Sequence, residues 1–382
     1  MRICVVATEP SGDQLGAGLI DALRARWPGA RFEGIGGPRM MAAGLVSEAP
    51  MEKLSVMGLT EILRHLPELL GIRHALRRRL LADPPVLFIG IDAPDFNLGL
   101  ERCLKQAGVP VAHYVSPTVW AWRGGRVKTL RQATDLVLCI FPFEQEFLRA
   151  RGVNALFVGH PLATRYPLQC ATDAARERLG IDGRGPVLAL LPGSRDSEVR
   201  RLSEPFLRSA LALQRSLPGL RVLTPLASAA TARAFETARA RFAPSLRITT
   251  WTDRTSDVLA AADVVLTASG TATLEALLCK KPMVVGYRVA ASTYWIARLL
   301  KLVETPHFAM ANLLADERLA PEFIQRQCVE GKLVPALRRF FDDAALRAKI
   351  AQRYTGIHRR MLLNADAKAA EAIAGLLERQ PE

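Results

Sequence analysis

A chain of 382 residues, 49% of them hydrophobic, is long enough for two ordinary domains and too apolar to be disordered. Its 51 Lys and Arg against 37 Asp and Glu give a formal charge of +14, which suggests an anionic partner: a nucleotide, a nucleic acid or an acidic membrane surface. Cys4, Cys103, Cys139, Cys170, Cys279 and Cys328 show no CxxC or Cys/His ligand spacing, which argues against structural zinc and fits a reducing cytosol.

Residues 2–7 read as a strand, so no signal peptide is expected, and no run of about 18 apolar residues marks a membrane span. The turn Glu9-Pro-Ser-Gly-Asp13, a helix over 14–27 and a strand over 31–35 follow. That order suggests a doubly wound nucleotide-type sheet. Ser11 and Gly12 precede a helix N-terminus, where backbone N–H groups meet anions; the turn is not GxGxxG and serves equally as a plain cap. Residues 59–81 carry an apolar stripe of Ile62, Leu63, Leu66, Leu69, Leu70 and Ile72, with Arg64, Arg73, Arg77, Arg78 and Arg79 around it. Two readings stay open, a core helix or an amphipathic segment resting on an anionic bilayer. Pro67 is expected to kink or split it.

The apolar run 86–91, bounded by Pro84-Pro85 and Asp92, reads as a buried strand of a parallel sheet. Asp92 then falls at the strand's carboxyl end, where open α/β sheets place ligands. It either bonds its own turn or carries chemistry. Pro94 stops the strand, and Asp95 is expected to cap a helix over 96–106. After a strand over 111–115, Ser116-Pro-Thr-Val-Trp-Ala-Trp122 places two Trp in a loop, where they wall a pocket or pack beneath it. Strands over 135–140 and 155–158 flank a helix over 144–150, and the segment 159–172 is the best domain boundary.

The alternation then restarts, with strands expected at 186–191, 221–224, 246–250, 263–267 and 282–286, and helices at 172–179, 197–216 and 229–241. Residues 332–341 and 344–377 read as helices. The expected architecture is α/β: a Rossmann-like domain over 1–165, a second over 166–345, and a helix over 346–382 folding back on a domain or a partner subunit. Two turns of the second domain suit a nucleotide. In Leu191-Pro-Gly-Ser-Arg195, Gly193 allows close backbone approach, and Ser194 and Arg195 offer a hydroxyl and a charged fork. In Ser269-Gly-Thr-Ala-Thr, small residues leave a helix N-terminus open for a diphosphate. Glu275 lies one turn further on, placed to accept ribose hydroxyls. Each turn alone is also a capped helix start. Together, opposite Asp92, they describe a cleft with a diphosphate on one side and a base on the other.

Ser11-Gly12-Asp13, Gly90-Ile-Asp-Ala-Pro-Asp-Phe-Asn97, His113-Tyr-Val-Ser-Pro-Thr-Val-Trp-Ala-Trp-Arg123, Leu191-Pro-Gly-Ser-Arg195, Ala268-Ser-Gly-Thr-Ala-Thr-Leu-Glu275, Pro282-Met-Val-Val-Gly-Tyr-Arg288 and Asn312-Leu-Leu resemble the lipid-A-disaccharide synthases, in order from about residue 2 to 375. Pro67 inside the hydrophobic segment departs from the family pattern. The resemblance implies a GT-B inverting glycosyltransferase joining UDP-2,3-diacylglucosamine to 2,3-diacylglucosamine 1-phosphate (lipid X). Asp92 would be the general base for the acceptor's 6-hydroxyl, giving a β-1,6 disaccharide and UDP. A sugar hydroxyl needs such a carboxylate to take its proton, and Arg195 with the 269–271 helix start would stabilise the leaving diphosphate. Ser11 and Gly12 count among the expected UDP-sugar residues with the two turns of the second domain, and Asn312 joins them by resemblance alone. No DxD motif is present, so neither metal nor cofactor is expected. The implied setting is the cytoplasmic face of the inner membrane, held peripherally through Ile62, Leu63, Leu66, Leu69 and Leu70, and a homodimer is among the arrangements open to the chain. A sugar-nucleotide epimerase shares the two-domain architecture and is the alternative. A nucleic-acid module would need exposed aromatics among its basic residues, and aromatics are only 6%.

Overall fold

The computed structural model describes residues 1–54, 59–120, 125–182, 185–289 and 307–379, without the side chains of residues 52 and 59–66. The chain forms two compact units, Met1–Pro161 with Met361–Glu382, and Leu162–Arg360.

The first unit is built on β1 (Arg2–Ala7), β2 (Arg31–Ile35), β3 (Leu45–Ser47), β4 (Leu87–Ile91), β5 (Val111–Tyr114), β6 (Leu136–Cys139) and β7 (Ala155–Phe157). Its sheet has the order β3-β2-β1-β4-β5-β6-β7, and every pairing is parallel. Helices α1 (Pro10–Arg26), α2 (Pro38–Ala42), α3 (Leu59–Ala82), α4 (Pro94–Gln106), α5 (Arg126–Ala133) and α6 (Pro142–Arg149) alternate with the strands. All five residues of β4 are buried, as expected of a parallel strand covered on both faces. One core joins β1 and β4 to Leu19, Ile20 and Leu23 of α1; the other joins them to Leu76 and Leu80 of α3 and to Leu100 and Leu104 of α4. Pro67 lies inside α3, which spans it as one helix rather than two.

The second unit holds β8 (Val187–Leu191), β9 (Arg221–Leu226), β10 (Ile248–Thr252), β11 (Val264–Ala268), β12 (Met283–Tyr287) and β13 (Glu322–Ile324) in the order β10-β9-β8-β11-β12-β13, again all parallel. α7 (Pro161–Arg165) begins at the chain crossing. α8 (Thr172–Arg178), α9 (Asp196–Ser216), α10 (Ala229–Phe242), α11 (Thr255–Ala261) and α12 (Thr271–Leu278) follow, and three further helices occupy Met310–Ala315, Glu330–Asp342 and Ala344–Met361. The single long helix expected over 344–377 is two. Asn364 ends the first by capping the second, Ala365–Glu378, with Oδ1 accepting from Ala367 N–H at 3.2 Å. This last helix packs on α1, and Ala369, Ala370, Ile373 and Leu376 enter the first unit's core.

Each sheet reverses its winding once, between β1 and β4 and between β8 and β11. The loops leaving such neighbouring strands open a crevice at their carboxyl ends. In the first unit those loops carry residues 8–9, just before Ser11 and Gly12 in the first turn of α1, and 92–93. In the second they carry 192–195 and 269–270.

Candidate active site

In the first unit the backbone turns as soon as β4 ends. Asp92 (φ 50°) and Ala93 (φ 44°) are left-handed, and so is Val115 (φ 75°), the residue after β5. Such conformations cost about 1–3 kcal/mol each and gather at functional sites. Specific bonds hold them. Asp92 N–H donates to Tyr114 O at 2.8 Å, Asn97 Nδ2 donates to Asp92 O at 2.9 Å, and Val115 N–H donates to Leu138 O at 3.0 Å. The half-buried Asp92 is therefore fixed through its backbone. Asp95 is not the cap expected of it. Ala93 is the N-cap and Pro94 the first helical residue, a position that suits proline's fixed φ and missing N–H, and Asp95 pairs with Arg126 instead.

Gly90 pairs with His113 across the β4–β5 ladder. His113 Nδ1 lies 2.6 Å from Glu101 Oε1, and both side chains are fully buried. A Cβ on Gly90 would stand 2.0 Å from that oxygen, so only glycine leaves room for the pair. Burial pulls the His113 pKa down, but the charge and hydrogen bond of Glu101, helped by Asp92, outweigh it and the net shift is upward. Asn97 Oδ1, Glu101 Oε2 and His113 Nε2 are buried without a hydrogen-bond partner among the described residues. A polar core thus lies along the strand that delivers Asp92.

Trp120 meets Phe143 edge-on at 4.9 Å, Phe143 stacks on Phe141 at 5.7 Å, and Phe141 meets His160 at 5.0 Å. Trp120 Nε1 donates to the buried Glu144 at 3.3 Å. Burial raises the Glu144 carboxyl to about 8 and lowers His160 to about 4, favouring the uncharged form of each. Trp122 lies outside the described residues. Ser11 and Gly12 open α1 in this same unit. A Cβ on Gly12 would lie 3.2 Å from Ala7 Cβ and 3.5 Å from Ile91 Cγ2, which sets the turn against the ends of β1 and β4.

In α3, Ile62, Leu63, Arg64 and Leu66 lie outside the described side chains. Leu69 and Ile72 pack against the first unit's core, whereas Leu70 is 44% exposed. Arg77 and Arg78 are exposed, while Arg79 is held by Glu33 and Glu48 and Arg73 donates to Asp95 O at 3.3 Å.

The second unit brings six expected residues together. Ser194, Arg195, Ser269, Gly270, Thr271 and Glu275 line one cavity of about 320 Å³. Gly193 (φ 130°) makes the turn after β8, and Glu198 Oε2 accepts from Ser194 N–H (3.1 Å) and Arg195 N–H (3.3 Å), which shapes the loop. The Arg195 guanidinium stays largely exposed, 3.6 Å from Glu198 Oε1. Thr271 and Ala272, the first residues of α12, line the same cavity, at the end of a helix that carries partial positive charge; the next N–H, of Thr273, is taken by Gly270 O at 3.0 Å. Ser269 Oγ donates to Phe308 O at 2.9 Å. Glu275 accepts from Tyr166 Oη at 2.9 Å; burial raises its carboxyl, against the effect of that bond. Asn312 does not line the cavity. It is fully buried, donating to Ala320 O (2.7 Å) and Glu322 Oε1 (2.9 Å) and accepting from Ala320 N–H (2.8 Å). The sequence reading missed Tyr166, Glu101 and Glu198. Only Glu198 had a local signal, an acidic residue three positions after a helix cap. Among the described residues no cluster of His, Cys, Asp and Glu is suited to a metal ion, and no helix is long and apolar enough to cross a membrane.

A family model described as lipid-A-disaccharide synthetase matches residues 3–373. The chain is 50% identical over 375 residues to the lipid-A-disaccharide synthase of Alkalilimnicola ehrlichii, covering 98% of each. It is 50% identical over 380 residues to that of Pseudomonas paraeruginosa, covering 100% of this chain and 99% of the relative. Among solved structures, the UDP-GlcNAc 2-epimerase of Neisseria meningitidis bound to UDP-GlcNAc superposes with a TM-score of 0.62 at 13% identity, covering 100% of both chains. The Anabaena HepE protein in complex with UDP and glucose does so with 0.58 at 14%, covering 98% of this chain and all of its own. At such identities the likeness concerns the GT-B-like fold alone.

Proposed function

The chain belongs to the lipid-A-disaccharide synthase family, and from that premise we propose which residues perform the transfer. It is a glycosyltransferase of lipid A biosynthesis. In our reading, the second unit holds the UDP-sugar in the cavity shared by Ser194, Arg195, Ser269–Thr271 and Glu275. Arg195 and the first N–H groups of α12 meet the diphosphate and take up the charge that UDP gains on leaving. Glu275, steadied by Tyr166, accepts from the ribose hydroxyls. Asp92 accepts the proton of the acceptor's 6-hydroxyl as that oxygen attacks the sugar's C1 from the face opposite UDP, which inverts the centre to β. Asn312 acts indirectly, holding the 309–322 segment through Ala320 and Glu322.

The observation that carries this reading is the carboxylate of Asp92, carried on a strained, backbone-locked turn at its sheet's switch point. Asp92→Asn keeps the side chain's shape and removes the base. Disaccharide formation should fall by ~10²–10⁴-fold while UDP affinity by isothermal titration stays within about twofold. Turnover above about a tenth of the parent's would remove Asp92 from this role.

Both substrates are acylated, so the protein meets them at a membrane surface. We assign that contact to the outer side of α3, where Leu70, Arg77 and Arg78 are exposed. Arg79 is excluded by its pairing with Glu33 and Glu48. Each surface Arg contributes about 1 kcal/mol on an anionic bilayer. Arg77→Ser with Arg78→Ser should lower sedimentation with anionic vesicles about tenfold or more at low salt and leave the melting temperature unchanged. Undiminished sedimentation would move the contact elsewhere.

A further inference from the structure

We propose that Tyr166 is a positioning residue that sets a preference for ribonucleotides over 2′-deoxyribonucleotides, by fixing the Glu275 carboxylate from the side away from the nucleotide while Ser256 fixes Tyr166 in turn. The proposal deepens the reading in which Glu275 accepts from the ribose hydroxyls, and it rests on that reading. Two cavities of the second unit meet at Glu275. It lines the cavity of about 320 Å³ that we assign to UDP, and it also lines a neighbouring one of about 290 Å³. Tyr166 and Ser256 line the second cavity and not the first. Tyr166 therefore reaches the carboxylate from behind and acts on the nucleotide only through it.

Tyr166 follows α7 in the chain, and Ser256 lies in the first turn of α11. Tyr166 Oη donates to Glu275 Oε1 at 2.9 Å and lies 3.0 Å from Ser256 Oγ. A phenol has one proton and a carboxylate can only accept. The phenol proton thus goes to Glu275, and the Ser256 hydroxyl donates to the phenol oxygen. Hydrogen bonds aligned in this way, from Ser256 through Tyr166 to Glu275, strengthen one another. Burial, and after it the charge of Glu275, push the Tyr166 hydroxyl above the usual phenol range, so it keeps its proton and remains a donor. Among the described residues no other group donates to the Glu275 side chain.

The consequence is selectivity. A carboxylate at the end of a flexible side chain must be ordered before it can pair with a ligand, and that ordering weakens binding. The bond from Tyr166 orders it before the nucleotide arrives. The same bond favours the ionised form, against burial, which raises the carboxyl. The ionised form keeps Oε2 and a second lone pair of Oε1 as acceptors for the two ribose hydroxyls. A site built to pair with a hydroxyl penalises the analogue that lacks it, because an acceptor is left unpaired. Without Tyr166 the carboxyl is free to turn away and burial leaves it closer to neutral, so the penalty shrinks.

Isothermal titration of the full chain with UDP and with 2′-deoxy-UDP tests this. The parent should bind UDP about 30-fold more tightly than 2′-deoxy-UDP, the scale of a hydrogen bond to a charged group. Tyr166→Phe should bring that ratio to about threefold, through weaker binding of UDP and nearly unchanged binding of 2′-deoxy-UDP. Ser256→Ala changes an exposed position that needs no repacking, and it should bring the ratio to about tenfold. In the transfer reaction Tyr166→Phe should raise the KM for the UDP-sugar about tenfold and hold kcat within about twofold, since it removes binding shared by ground and transition states. A purely structural loss would weaken both nucleotides alike and lower kcat, and that result overturns the proposal. So does the parent's ratio persisting in either variant, which would still leave Glu275 as the ribose acceptor. Equal affinity of the parent for the two nucleotides would overturn the ribose reading itself, and this proposal with it.

Discussion

Glu144 shows what burial does to a single acid. Its two oxygens accept from Trp120 Nε1 and from Phe141 N–H, and its side chain is 2% exposed. Burial raises the carboxyl from 4.5 to about 8, with those bonds opposing only in part. A folded pKa above the unfolded one means that the unfolded chain releases the proton first as pH rises. The contribution of Glu144 to stability is therefore complete below about pH 4.5 and is lost as pH climbs through about 8. Glu144→Gln imitates the neutral acid and should abolish that loss. Denaturant titrations at about pH 5 and about pH 9 should show the parent losing on the order of 2–4 kcal/mol relative to the variant. Identical pH dependence in the two proteins would mean that Glu144 is charged in the folded state.

The loop after β8 joins a helix start to a conformational demand. Gly193 has φ 130°, and a Cβ there would lie 2.5 Å from Glu198 Cβ. Gly193→Ala should push Glu198 off the N–H groups of Ser194 and Arg195, costing about 1–3 kcal/mol of stability and weakening UDP binding about tenfold. Unchanged affinity by isothermal titration would show that the loop does not shape the nucleotide site. The turn itself was legible in the sequence because a short polar Gly-containing stretch follows an apolar run with no polar interruption. β4 is equally apolar throughout and β11 is broken only by Thr267, since strands buried on both faces need no alternation. β13, Glu-Phe-Ile, is three residues long with a charge inside it and carries no such signal. The supports of the site were hidden for another reason. Tyr166 reaches Glu275 across 109 positions, and Glu101 meets His113 from a helix to a strand, so neither contact leaves a periodic trace. Residues 269–275 could be assigned because turn and helix start are contiguous. Asn312 was assigned by resemblance, and its amide is spent on Ala320 and Glu322.

At the scale of the whole molecule the chain does not simply finish one unit and begin the next. It leaves the first unit near Pro161 and re-enters it at Met361. The final helix, Ala365–Glu378, lies on α1, and its Ala369, Ile373 and Leu376 join the core around β1 and β4. Ile373 is fully buried and Leu376 is 7% exposed. Burying such side chains is worth about 1.5–3 kcal/mol each, so two of them supply a large part of the roughly 5–15 kcal/mol that holds a domain folded. Ile373→Ala should cost the first unit about 2–5 kcal/mol, and deletion after Leu362 should cost it more than it has. The second unit keeps all its strands and the cavity lined by Ser194, Arg195 and Glu275 without that helix. Calorimetry of Ile373→Ala should therefore resolve an early transition assigned to the first unit and a later one raised by UDP. The deletion should lose transfer activity while still binding UDP. A single transition, shifted as a whole and raised as a whole by UDP, would mean that the two units fold as one, and the last helix would then support the entire chain.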